Sequence, residues 1–421
     1  MTVTVVVGPR RPVGATVEVP GDKSLSHRAL ILSAMATGVS RLARLAPGRD
    51  VAATIRALEM LGVRISEDGI LTSPGVSGWS APGSDVDAEN SATTVRLLAG
   101  ALAGGKLEAV LTGDSSVRRR PMRVLVEALA ELGADVSAGS HGLPPITVRG
   151  RRLRGAHIEL PIPSAQVRTA AALAGLQATG ETTIRSPAGF RDHTERWLHA
   201  LGLGAPLGDE GFRVLPGSVP PLDVVIPRDP SSAAFMWTAA VLSGGRVTTP
   251  GVSMNPGRVG ILEVLSKMGV AVTVQPTGEI LGDPVGDVTV VGPASRATEV
   301  TGDLSWRTID ELPLVALVAA VTPGDTVVAD AGTLRHKESD RIEGVVAMVR
   351  ALGGTAEETP DGFIVTGGSL KPGRVDSRQD HRLAMAAAVA AAAAGRVEIH
   401  GMEVMAVSWP GFMNALDDAW S

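Results

Sequence analysis

Three stretches of the chain set cations and carboxylates among small polar residues: Asp22-Lys23-Ser24-Leu25-Ser26-His27-Arg28, His336-Lys337-Glu338-Ser339-Asp340-Arg341 and Asp380-His381-Arg382. With Arg120 and Arg191 they supply seven candidate cations, Lys23, Arg28, Arg120, Arg191, Lys337, Arg341 and Arg382. Fixed cations of this kind hold multiply charged anions, and arginine does so through two parallel N–H bonds to a phosphate or carboxylate. The candidate acids are Asp310, Glu338 and Asp380. A carboxylate placed among cations can move a proton at a reacting centre. Only 5 of the 39 basic residues are lysines, and two of them are Lys23 and Lys337, which points to an ammonium at those positions. Plainer readings stand beside these. Asp310 and Asp380 head apolar runs, where an N-cap is equally natural. Glu338 fits a surface ion-pair cluster, Asp22 and Asp340 read as structural, and Arg118 and Arg119 read as solvated charges.

The elements that position these residues repeat. A polar motif is followed by an Ala/Leu-rich helix, a glycine, a short β-like run and a second helix, starting at Lys23, Asn90, Ser164, Asp229, Asp310 and Asp380. The second helices end in Leu61-Gly62, Leu132-Gly133, Leu201-Gly202, Met268-Gly269 and Leu352-Gly353, where glycine suits a left-handed stop. Each first helix is apolar nearly all round and is therefore expected to be buried. Its free N–H groups and positive dipole end favour anions, so six such ends facing one cleft would collect them. The proline-rich stretch at 215–228 divides the units three and three. The expected domains are residues 16–225, and 1–15 together with 226–421, the opening strand pairing with the second half.

The 421 residues suit two or three domains. With 44% hydrophobic and 20% charged residues the chain is globular rather than disordered. Absence of cysteine removes disulfides, thiolate metal sites and a cysteine nucleophile, and no HExxH-type pair supports zinc. A net charge of −5 without a basic stripe argues against nucleic acid. The longest run without a polar residue, Leu383 to Ala394, is too short to span a bilayer, and Met1–Val7 lacks the basic start of a signal peptide. A cytoplasmic protein is expected.

Taken in order, the segments at 20–34 (PGDKSLSHRALILSA), 111–121 (LTGDSSVRRRP), 163–175 (PSAQVRTAAALAG), 309–313 (IDELP), 334–343 (LRHKESDRIE) and 380–385 (DHRLAM) resemble the 5-enolpyruvylshikimate-3-phosphate synthase family across nearly the whole chain. The resemblance implies an α/β (α+β) fold of two domains, each of three βαβαββ-type units, around an inter-domain cleft. It implies transfer of the enolpyruvyl group of phosphoenolpyruvate to the 5-hydroxyl of shikimate 3-phosphate, with no metal or organic cofactor, in a monomer. Family roles fall on Lys23, Ser24, Arg28, Ser164, Ala165, Gln166, Arg191, Asp310 and Lys337 for the shikimate substrate. They fall on Lys23, Ala92, Arg120, Gln166, Arg341 and Arg382 for phosphoenolpyruvate. Lys23, Asp310 and Glu338 are the implied catalytic groups.

The chain also departs from the family pattern. Ala92 stands where many members have glycine, Val407 where many have lysine, and Thr333 where asparagine is usual. The methyl of Ala92 implies weaker inhibition by glyphosate, as in the glyphosate-insensitive branch. The changes leave open an enolpyruvyl transferase acting on another phosphorylated sugar, nucleotide or cyclitol. UDP-N-acetylglucosamine enolpyruvyltransferase would show Lys-Asn in place of Lys23-Ser24 and a loop cysteine. A non-enzymatic anion binder would not need every acid and base position filled.

Overall fold

The structure, a computed structural model, describes residues 3–9, 13–188, 191–208 and 211–420. Its contacts divide the chain into two compact units. The first comprises Gly21–Ile226 with Glu279–Asp283, and the second comprises Met1–Pro20, Pro227–Gly278 and Pro284–Ser421.

Six inner helices carry the repeat: α1 Lys23–Met35, α2 Ala92–Leu102 and α3 Ala165–Gly175 in the first unit, α4 Pro230–Ser243, α5 Leu312–Ala320 and α6 His381–Ala394 in the second. Apart from Arg96 in α2 and a few residues at the ends of α4 and α6, all are buried beyond their first turn, as their composition requires. Close packing follows from their small residues. A methyl at Gly100 of α2 would run into the backbone of Ala170 of α3, so only glycine allows this approach.

The second helices lie outside and end as expected. Gly62, Gly133, Gly202, Gly269 and Gly353 all have φ between 72° and 89°. At Gly202 nothing lies within 4 Å of the place a methyl would take, so Gly202→Ala isolates the left-handed strain. Its expected cost is about 1–2 kcal/mol. A urea midpoint equal to that of wild type would contradict the assignment.

Each inner helix serves one small sheet. In the first unit the sheet orders are Asp223–Val225, Thr37–Ala43, Ile70–Pro74, Arg64–Ile65; Val86–Asp87, Glu108–Thr112, Ile146–Arg149, Asp135–Ala138; and His157–Glu159, Thr182–Arg185, Gly211–Val214, Gly204–Pro206. In every case the first two strands are parallel and the remaining pairs antiparallel. This is the expected strand–helix–strand–helix–hairpin unit. The sixth sheet has only three strands, because Val3–Val7 pairs antiparallel with Arg396–His400 where the other units use their own hairpin.

The limits of the units depart from those expected at a few residues. Residues 16–20 go with the second unit, since Gly14–Thr16 pairs parallel with Arg246–Ser253 and Val17 N–H bonds to Thr248. Conversely, Ile226 stays with the first unit: its N–H bonds to Ala43, continuing the parallel pairing of Asp223–Val225 with Thr37–Ala43. The stretch at 215–228 is therefore partly a strand of the first unit, not only a connector. Residues 279–283 join the first unit because Asp283 is buried there against His193 and Trp197.

Candidate active site

The chemistry-bearing residues of each unit cluster at the starts of its inner helices. In the first unit, α1 begins at Lys23, capped by Asp22, whose carboxylate accepts from Leu25 N–H at 2.8 Å. Lys23 Nζ lies 2.8 Å from Asp50, a buried residue of the neighbouring helix Arg49–Met60. Arg28 lies on α1 and is buried. It donates to Thr194 Oγ1 at 2.8 Å, to Thr169 Oγ1 at 3.0 Å and to the carbonyl of Ser24 at 2.9 Å.

Ser164 caps α3, and the Ala165 carbonyl accepts from Thr169 at 2.8 Å. Gln166 then ties α3 to α2: its oxygen accepts from Arg96 at 2.5 Å and its amide donates to Thr93 Oγ1 at 2.7 Å. Arg96 also donates to the carbonyl of Pro121, next to the half-buried Arg120. Ala92 opens α2 and is buried at 1% exposure, so its methyl is a fixed wall rather than a mobile surface group. Arg191 is half-buried, three residues before Thr194. Arg118 and Arg119 are exposed, as read from sequence.

In the second unit, Asp310, Lys337, Glu338, Arg341 and Arg382 come together. Asp310 Oδ1 is 3.2 Å from Arg341 Nη1 and 3.6 Å from Lys337 Nζ, and its Oδ2 is 3.6 Å from Arg382 Nη2. Arg341 is 1% exposed and bonds three carboxylates: Asp380 through Nε at 2.7 Å, Asp310, and Glu338 through Nη2 at 2.5 Å. Burial alone would push its guanidinium pKa down, but Asp380, Glu338 and Asp310 outweigh it and hold the pKa above the ordinary arginine range. Four of its five N–H groups are thereby engaged by carboxylates, so an anion reaching Arg341 competes with them. Glu338, at 12% side-chain exposure, is slightly more open than Asp310 at 10% and clearly more open than Asp380 at 0%.

The caps separate the two aspartates for which an N-cap is an open reading in sequence. Asp380 is the N-cap of α6, accepting from Arg382 N–H at 2.9 Å, whereas the cap position of α5 falls on Glu311, leaving Asp310 free of that role. Asp340 caps the helix Arg341–Ala351. Five of the six inner-helix caps accept a bond from the first turn, so these N–H groups are partly satisfied within the protein rather than all presented to a ligand.

Sequence reasoning missed Asp50, Arg96, Arg258 and Glu311. Arg96 had a signal: it is the lone charge in its helix. Glu311 lies 3.6 Å from Arg382 and accepts from Ser231, which also accepts from the buried Arg258. Among the described residues no group of three His, Asp or Glu is arranged to hold a metal. No helix among them is long and apolar enough to cross a membrane.

The family model described as EPSP synthase (3-phosphoshikimate 1-carboxyvinyltransferase) matches residues 7–416. The chain belongs to the EPSP synthase family. The 3-phosphoshikimate 1-carboxyvinyltransferase of Herpetosiphon aurantiacus is 44% identical over 407 residues, covering 94% of each chain. That of Chloroflexus aurantiacus is 42% identical over 421 residues, covering 97% of each. The solved EPSP synthase of Acinetobacter baumannii superposes with a TM-score of 0.87 at 34% identity, covering 99% of this chain and 98% of that one. The enolpyruvyl transferase NikO of Streptomyces tendae, at 19% identity and a TM-score of 0.78, shares the fold.

Within this EPSP synthase framework, two departures are local. Val407 is buried in the turn Met402–Val407 and brings no charge, and Thr333 lies in the turn Gly332–His336. His27, on α1 between Lys23 and Arg28, is buried, and its pKa is held well below 6.5 by desolvation first and by Lys23 and Arg28 second. A group with a depressed folded pKa binds fewer protons folded than unfolded, so its share of stability is complete above about pH 6.5 and is lost as the pH falls. The urea midpoint of wild type should therefore drop from pH 7 to pH 5 more steeply than that of His27→Gln. Parallel profiles would contradict a buried neutral ring.

Proposed function

We propose that this chain transfers the enolpyruvyl group of phosphoenolpyruvate to the 5-hydroxyl of shikimate 3-phosphate and releases phosphate. The observation that carries the reading is the second unit's cluster, in which one carboxylate, Asp310, lies within 3.6 Å of Lys337, Arg341 and Arg382, with Glu338 on the same arginine. Such a cluster suits an acid–base exchange carried out against a doubly charged anion.

In the reaction, C3 of phosphoenolpyruvate gains a proton while C2 gains the acceptor oxygen, giving a tetrahedral ketal. The ketal then loses phosphate and a C3 proton, restoring the double bond. Asp310 takes the proton of the 5-hydroxyl, with Lys337 beside it at the acceptor hydroxyls. Glu338 or Lys23 delivers and recovers the proton at C3. Arg120, Arg341 and Arg382 hold phosphoenolpyruvate, with Gln166 and the wall of Ala92. Lys23, Ser24, Arg28, Ser164, Ala165, Gln166 and Arg191 hold shikimate 3-phosphate, Ala165 through its backbone. Glu338 leaves Arg341 when the donor binds, which frees both the guanidinium for the anion and the carboxyl for C3. The enzyme acts as a cytoplasmic monomer on small molecules and not on nucleic acid, in keeping with its net charge of −5.

The test is phosphate release from phosphoenolpyruvate with shikimate 3-phosphate and, separately, with phosphorylated sugars, nucleotides and cyclitols. Turnover is expected with shikimate 3-phosphate alone, and release with another acceptor but not this one would reject the reading. A second expectation concerns glyphosate, which is longer than phosphoenolpyruvate. Removing the buried methyl by Ala92→Gly should tighten glyphosate inhibition by roughly 5- to 150-fold, the factor equivalent to ~1–3 kcal/mol of overpacking, with the KM for phosphoenolpyruvate changed far less. An unchanged inhibition constant would remove Ala92 from the donor pocket.

A further inference from the structure

Between α1 and α2 runs a buried line of polar groups that the reaction above does not use. His27 Nδ1 lies 2.7 Å from Thr54 Oγ1, Thr54 Oγ1 lies 2.6 Å from Thr94 Oγ1, and Thr94 Oγ1 donates to Ser91 Oγ at 2.7 Å. All four residues are at most 1% exposed. The direction of the line is fixed from its far end. Thr94 spends its only hydroxyl proton on Ser91, so Thr54 must donate to Thr94, and Thr54 must in turn accept from His27 Nδ1–H. The ring is thereby held in the Nδ1–H tautomer. Desolvation and the flanking Lys23 and Arg28 keep it neutral, so no charge is introduced between the two cations.

The line ends on the residue that sets the start of α2. Ser91 is the cap of α2 and accepts both the Thr94 N–H at 3.2 Å and the Thr94 hydroxyl. Ala92 and Thr93 follow it, and Thr93 is itself held by Gln166 at 2.7 Å. Just before it, Glu89 adopts the left-handed conformation at φ 50°, uncommon for a residue with a side chain, so this corner is not held by local preference alone.

We propose that His27, Thr54 and Thr94 are positioning residues for the Ser91-Ala92-Thr93 corner, fixing it relative to Lys23 and so setting affinity for phosphoenolpyruvate. The inference rests on the proposed function, which places Ala92 and Lys23 at the donor. None of the three touches a substrate: the ring and both hydroxyls act only through Ser91.

The experiment compares hydroxyl-deleting and hydroxyl-keeping variants. Thr94→Val and Thr54→Val should each raise the KM for phosphoenolpyruvate about three- to tenfold, the range of one neutral hydrogen bond. The KM for shikimate 3-phosphate should stay within about twofold. Thr94→Ser and Thr54→Ser should restore the wild-type KM. The double valine variant should be no worse than the poorer single, because both break one line. Unchanged KM for phosphoenolpyruvate, or a parallel rise for both substrates that tracks lost thermal stability and is not rescued by serine, would overturn the proposal. If Thr94→Val fails to fold, the Thr54 pair carries the same comparison. Nitrogen NMR of histidine-labelled enzyme gives a readout independent of turnover. Wild type should show one neutral Nδ1–H ring from pH 7 to pH 5 that is absent in His27→Gln, and an Nε2–H or charged ring would also overturn it. Wild type inactive on these substrates would defeat the proposed function, whereas active wild type with unaffected valine variants would defeat this inference alone.

Discussion

Lys23→Met and Glu338→Gln should each lower kcat by roughly 10²- to 10⁴-fold, the range of a general acid–base group or of a lost charge beside the reacting anion, while leaving the fold intact. The two substitutions are chosen to remove chemistry without removing shape. Methionine keeps the lysine stem, and the pair it breaks, Lys23 with Asp50, is partly open at 21% exposure of the lysine. Glutamine keeps an oxygen able to accept from Arg341 and removes only the charge and the exchangeable proton. Arg341 retains Asp380 and Asp310 as counterions, so the buried guanidinium is not orphaned. Steady-state kinetics with thermal unfolding as control reads the outcome. A variant that keeps kcat within tenfold of wild type does not lack the group that moves the proton, and its assigned role would be withdrawn.

The second large effect is on stability. Asp380 is fully buried and does three things at once: it accepts from Arg341 at 2.7 and 3.3 Å, from Ser339 at 3.1 Å, and from Arg382 N–H as the cap of α6. Asp380→Ala removes a counterion from a buried cation and a cap from a buried helix. Breaking a buried pair costs about 3–5 kcal/mol, and losing a cap adds about 1 kcal/mol. Asp380→Asn keeps the cap and loses only the charge, so it should fall between wild type and alanine. Urea unfolding of the three proteins measures the series. An alanine variant within about 1 kcal/mol of wild type would show that Arg341 is adequately held by Asp310 and Glu338 alone.

Much of this architecture is legible in sequence, because it rests on local rules. Helices whose every face is Ala, Leu or Val have nowhere to go but inside, and a Leu-Gly pair after an amphipathic helix has little choice but a left-handed stop. The clustering of Asp310 with Lys337, Arg341 and Arg382 is legible only through the family resemblance, since these residues lie up to 72 positions apart. What could not be read is what depends on long-range pairing with a weak local signature. The strand Asp223–Val225 is three residues in a proline-rich stretch, with too little alternation to mark it, and its membership is decided by parallel pairing with Thr37–Ala43. The partner of Lys23 is a carboxylate 27 residues away on a different helix, and many acidic residues are equally near in sequence. Glu311 adjoins Asp310, yet it reaches toward Ser231 while Asp310 faces Lys337. Thr54 and Thr94 carry no motif, because a buried threonine looks the same in sequence whether it pairs with a backbone carbonyl or with another hydroxyl.

The most direct measurement is phosphorus NMR of the enzyme mixed with phosphoenolpyruvate and shikimate 3-phosphate. The expected result is that the phosphoenolpyruvate resonance is replaced by inorganic phosphate in an amount equal to a new enolpyruvyl ether of the acceptor, and only when shikimate 3-phosphate is present. Persistence of both substrates unchanged, or phosphate appearing without that ether, would contradict it.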